Sequence, residues 1–132
     1  MIRLLGYIAA GSAAGGVCRF LLTTLIQQRV TGSFPTGTLI VNVTGSFVLG
    51  FIVRYALATP AVTPEFRALL TIGFCGGYTT FSTYSFETAT LIEDARYERA
   101  AVYAVLSVLL ALGGTFAGFV AARELLAIRG RV

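Results

Sequence analysis

Apolar residues in this chain come in long blocks rather than alternating with polar ones. Leu4 to Ile26 carries a single charge, Arg19, while Phe34 to Val53, Ala68 to Phe86 and Ala100 to Ala122 carry none. Each block is about 19 to 23 residues long, and roughly 20 residues of helix cross the hydrocarbon core of a bilayer. The pattern predicts an all-α membrane protein with four transmembrane helices, over 4–26, 35–58, 66–92 and 100–124, in a single domain over 1–132. Polar punctuation falls between the blocks: Pro35 suits the start of the second helix, ATPAVTPE has turn composition, and EDARYER is charged and exposed. A cleaved signal peptide is the competing reading of the N-terminus, but the apolar run continues to Ile26.

Composition sharpens this picture. The chain is 56% hydrophobic and 12% charged, with a mean hydropathy of +0.82, too little polar material to cover a soluble domain. Its net charge of +4 is carried by ten arginines that are scattered, with no patch suited to nucleic acid. No histidine is present, which removes the commonest general base and metal ligand. Cys18 and Cys75 both fall inside apolar blocks and read as buried free thiols. With four spans both termini share a side. That side holds Arg3, Arg54, Arg67, Arg123, Arg129 and Arg131, against Arg29, Arg96 and Arg99 on the other. This modest bias favours cytoplasmic termini.

Small residues mark close helix contacts. GSAAG (Gly11 to Gly15) and GTFAG (Gly114 to Gly118) are small-xxx-small motifs. Four helices are too few to enclose a hydrated pore comfortably, and small residues on several faces suggest contact beyond the monomer and hence a homo-oligomer. On the second helix Thr38, Asn42, Gly45, Ser46 and Leu49 share one face, and on the fourth Tyr103, Ser107, Gly114 and Gly118 do.

Polar groups within the apolar blocks carry the candidate chemistry. Arg19 either snorkels from near its helix end or marks an ion pathway. Asn42 needs a partner in hydrocarbon, which makes it interhelical glue or a pore ligand. The stretch GFCGGYTTFSTYSFE (residues 73–87) is either an unbroken helix packing through its glycines or a broken one. Freed carbonyls of a broken membrane helix suit a hard cation such as Na⁺. Beyond the glycines, Phe81 and Tyr84 lie three apart beside a row of hydroxyls. Ring edges carry positive potential, so such a row can hand along a small anion without trapping it.

These residues resemble the Fluc/CrcB fluoride channels of microbes. The resemblance covers essentially the whole chain and rests on PTGTLIVNVTGSFVLG combined with GGYTTFSTYSFE. It implies a subunit of four helices, the third broken, in an antiparallel, dual-topology homodimer with two fluoride pores along its interface. It implies passive export of fluoride across the prokaryotic cytoplasmic membrane and no enzyme activity. Asn42 is then the pore amide and Phe81 part of an aromatic box. Tyr84 stands where the family usually has a second Phe. Ser82, Thr83, Thr38, Tyr103 and Ser107 add hydroxyls, and Ala111 stands where some members carry another. Arg19 belongs to the vestibule and Glu87 to a pore end. The carbonyls of Gly76 and Thr79 from both copies would hold one structural Na⁺.

Three other classes compete. A small multidrug exporter shares the helix count but needs an intramembrane carboxylate in the first helix, where this chain has Arg19. An intramembrane enzyme lacks histidine and any HExxH or GxSxG pattern. A structural membrane subunit leaves the amide, the aromatic pair and the helix break unexplained.

Overall fold

The computed structural model describes residues 1–30, 32–60 and 62–130. Arg131, counted above in the charge bias, lies outside them. The described residues are helical apart from short connections. Helix α1 spans Ile2–Gln27, α2 Thr36–Leu57, and α3 the stretch 64–78. α4 spans Phe81–Glu93 and α5 Tyr97–Arg129. The helices α1, α2 and α5 are each long and apolar enough to cross a membrane.

The third apolar block does not form the continuous helix that its lack of charge would permit. α3 starts with Thr63 as its cap, whose hydroxyl accepts from the Phe66 N–H at 3.2 Å, and with Pro64 inside the first turn. It widens into a π-helix over Leu69–Cys75, tightens again over Gly76–Tyr78 and stops. Thr79 (φ −83°, ψ 157°) and Thr80 (φ −150°, ψ 116°) are extended, and α4 then begins. The sequence left this break open against an intact, glycine-packed helix, and the backbone is broken. The fourth block is longer than its apolar part. α5 runs through Arg129 rather than ending near 124, with Glu98 in its first turn and Arg129 in its last, both favourable against the helix dipole. At 33 residues it is about 50 Å long, so its ends extend past a core of roughly 30 Å.

Packing is organised as two parallel pairs. A Cβ on Gly11 would strike the Leu69 carbonyl, with Phe74 N at 2.8 Å; one on Gly15 would strike the Phe74 carbonyl, with Tyr78 N at 2.8 Å. Moving up α1 therefore moves up α3. In the same way Gly114 meets the Val43 carbonyl at 2.8 Å and Gly118 meets that of Phe47, so α5 runs parallel to α2. Parallel partners that are not neighbours in sequence are what successive crossings joined by short loops produce.

The close approach expected of the small-residue motifs is present. Both small-xxx-small motifs are filled within the chain, GSAAG by α3 and GTFAG by α2, so neither supplies an argument for a second copy. Gly76, by contrast, is exposed, with open space around the position of a Cβ.

Candidate functional site

The break in the third block is built by Asn42. Its Oδ1 accepts the Thr80 N–H at 2.8 Å and its Nδ2 donates to the Thr80 carbonyl at 3.1 Å. The amide thereby binds both backbone groups of Thr80, the residue from which the helix resumes. One of its two N–H groups is left over. The Thr80 side chain completes the junction. Its hydroxyl caps α4 by accepting the Thr83 N–H at 3.2 Å, donates to Thr83 Oγ1 at 3.0 Å and lies 3.2 Å from Ser82 Oγ.

These bonds have a consequence for two carbonyls. In a continuous helix the Thr80 N–H would serve the Gly76 carbonyl and the Thr83 N–H that of Thr79. Here both donors are turned elsewhere. Two acceptors without their helical donors, one on an exposed glycine, are a donor set that fits a hard cation with oxygen preference.

A groove of about 290 Å³ opens beside the break. Asn42, Thr80, Phe81, Tyr84, Ser107 and Ala111 line it, together with Ser46 and Leu49 from the α2 face that also carries Asn42. The Ser107 hydroxyl is buried without a hydrogen-bond partner among the described residues. Phe81 is 78% exposed and touches Tyr84 with ring centroids 5.4 Å apart, so a single chain forms one wall of an aromatic site and no closed box. Tyr84 continues to Tyr103 at 5.3 Å, and Tyr103 to Phe34 at 5.6 Å edge-on.

The other sequence candidates gather one step away. Tyr103 and Thr38 are both buried. The Tyr103 hydroxyl donates to Glu87 Oε2 at 2.7 Å, and Thr38 Oγ1 to Glu87 Oε1 at 2.8 Å. Each hydroxyl has one proton, and in this arrangement both are committed to the carboxylate instead of the groove. Arg19, Thr38, Thr80, Thr83 and Glu87 line a second groove of about 280 Å³, in which Arg19 forms no ion pair with a described residue. A third groove, of about 410 Å³, is lined by Thr38, Glu87, Gln27, Ser33 and Arg96. Thr80 borders the first two grooves, and Thr38 with Glu87 the last two. Shared polar residues thus tie the three grooves into a track of adjoining pockets from the helix break to Ser33.

A family model described as "CrcB-like protein, Camphor Resistance (CrcB)" matches residues 6–119, which takes in every residue of this track. The chain belongs to the CrcB family. Among its CrcB relatives, one from Geobacter sulfurreducens is 48% identical over 118 residues, 89% of this chain and 95% of the relative. One from Methanopyrus kandleri is 45% identical over 120 residues, covering 91% and 89%. One from Aquifex aeolicus is 40% identical over 118 residues, covering 89% and 95%. Each of the three is named a fluoride-specific ion channel, FluC. Membership of this family, with three helices fit to cross a membrane, makes the chain a multi-pass membrane protein.

Not every sequence candidate falls in one place. Asn42, Phe81, Tyr84 and Ser107 share the groove beside the break. Thr38, Tyr103 and Glu87 form a hydrogen-bonded cluster, and Arg19 and Thr83 face the second groove. Ser82 is exposed and turned to Thr80. Thr80 itself, buried and central to the junction, was not among the sequence candidates. The available signal was a hydroxyl at a resuming helix, three residues before another, which is an N-cap position. The guanidiniums of Arg96 and Arg99 that both donate to Ser33 had no local signal, because Ser33 lies between α1 and α2 while the arginines stand at the start of α5.

Proposed function

We propose that the chain is the subunit of a fluoride-specific channel of the prokaryotic cytoplasmic membrane, exporting fluoride passively. The observation that carries this reading is the groove beside the break. It offers the spare N–H of Asn42, the unpartnered hydroxyl of Ser107 and the edge of Phe81, and no charge. Neutral donors and ring edges attract a small, strongly hydrogen-bonding anion without holding it too tightly to leave. Arg19 concentrates anions beside the track, and Glu87 holds Thr38 and Tyr103 until either hydroxyl turns toward an ion. Hydrogen fluoride crosses membranes neutral and ionises inside, so a selective passive path suffices for export.

The assembly in this reading is a homodimer of two four-span subunits inserted in opposite orientations. The open groove and the exposed Phe81 support it, since a second copy is needed to close the path. The exposed Gly76 supports a centre where the Gly76 and Thr79 carbonyls of both copies hold one Na⁺. That ion would neutralise the freed carbonyls and fix the break, and it takes no part in conduction.

Proteoliposomes loaded with potassium fluoride test the reading. Fluoride should leave within seconds while chloride in a parallel preparation stays. Equal fluxes, or none from a folded protein, would sink it. Phe81→Ile keeps apolar bulk but removes the ring edge, and should slow fluoride release by at least about tenfold, the loss of one interaction of ~1.4 kcal/mol. An unchanged rate removes Phe81 from the path.

A further inference from the structure

The opposite end of the molecule carries a second feature that the ion path does not use. Arg54 lies in the last turn of α2 and Arg123 near the end of α5, and both are exposed. Two grooves flank this pair. One, of about 290 Å³, is lined by Arg54, Arg123, Leu57, Ala58 and Leu126; the other, of about 220 Å³, by Arg54, Arg123, Phe119 and Val120. No acidic residue lines either. Among the described residues the one ion pair is Arg96 with Asp94, so neither arginine is neutralised by a partner. Phe119 and Val120 are 37% and 59% exposed, which gives the second groove an apolar, open wall on the bilayer side of a cationic head, while Leu57 and Leu126 lie one turn beyond the arginines.

We propose that this cleft is a binding site for an anionic phospholipid, with the headgroup phosphate between Arg54 and Arg123. The acyl chains run from it along Phe119 and Val120, about one turn further into the bilayer than the arginines. The pairing of two cations with apolar walls at the ends of spanning helices matches the two halves of such a lipid. The phosphate gains charge-assisted hydrogen bonds from guanidiniums, whose planar fork suits it. Basic pockets between transmembrane helices take anionic headgroups on the same grounds. A zwitterionic lipid brings its own cation and gains less. Inorganic phosphate shares the headgroup chemistry but leaves the apolar walls uncovered. The proposal needs only a multi-pass membrane protein and stands apart from fluoride conduction.

Native mass spectrometry of the full-length protein in detergent tests it, with phosphatidylglycerol and phosphatidylcholine supplied in equal amounts. Phosphatidylglycerol should be retained at one per chain in preference to phosphatidylcholine, and a large excess of inorganic phosphate should not displace it. Arg54→Gln combined with Arg123→Gln should weaken retention about thirtyfold, the effect of two surface arginines on an anionic lipid. Arg54→Lys with Arg123→Lys should keep most of it. Equal retention of the two lipids, or undiminished retention by the glutamine variant, overturns the proposal. Displacement by inorganic phosphate assigns the site to the free ion and overturns it too. Should the glutamine variant fail to fold, the competition between lipids on the unaltered protein decides alone.

Discussion

Asn42→Asp is expected to cut fluoride efflux by about a hundredfold or more. Asn42 does two jobs with one amide: it holds both backbone groups of Thr80 and leaves one N–H toward the groove. Aspartate cannot do both in either protonation state. Ionised, it can still accept the Thr80 N–H, but it sets an oxygen against the Thr80 carbonyl and a negative charge in the path of an anion. A charge at this depth costs roughly 2.5–3.5 kcal/mol, about a hundredfold in rate. Protonated, it has one donor for two acceptors. The measurement is fluoride release from proteoliposomes, with gel filtration in detergent confirming that the variant is folded. A folded variant that releases fluoride normally would remove Asn42 from the path.

The second large effect is on the fold itself. Gly15→Val is expected to abolish the monodisperse folded species. A Cβ at Gly15 meets backbone atoms of α3, including Tyr78 N at 2.8 Å and Phe74 C at 3.0 Å. Backbone cannot swing aside as a side-chain tip can, so α1 and α3 must separate along their contact. Overpacking costs 1–3 kcal/mol even where side chains can yield. A loss of about 3 kcal/mol or more here corresponds to a hundredfold or greater shift toward the unfolded state. Gly6→Val is the control, because a Cβ at Gly6 meets nothing within 4 Å. Gel filtration after extraction should show the control peak and lose that of Gly15→Val. Equal peaks would mean that the α1–α3 contact is looser than its geometry.

How much of this could be read from the chain follows from the distance between partners. The apolar blocks are local, and α1 and α2 end within one residue of the predicted helix ends at 26 and 58. Asn42 was readable as an amide in need of a partner, since it is the one strongly polar group on its face of an uncharged helix. That the partner is the backbone of Thr80, 38 residues away, was not, because backbone groups are the same in every sequence. The glue reading of Asn42 uses one N–H, to the Thr80 carbonyl, and the second N–H leaves room for the proposed pore role. The small-residue motifs were legible in part. They correctly announced close approach, but a motif does not name its partner, and here the partners lie within the chain. The length of α5 was under-read because hydropathy marks the part of a helix that needs lipid, while propensity and charge carry the rest onward.

The pairing of α1 with α3 and α2 with α5 has a bearing on how the protein is made. Neither pair is closed by consecutive helices, so no hairpin that leaves the ribosome is a finished unit. α2 leaves the ribosome with Asn42 and Thr38 before Thr80 and Glu87 have emerged, and with its face at Gly50 bare until Thr115 arrives. Chains emerge and fold from the N-terminus, so for much of its synthesis this one holds polar groups in lipid that only later segments can satisfy. The interval between the second helix and the last is the period in which the chain has most to gain from a protective insertion factor, and in which a stall in translation exposes it most.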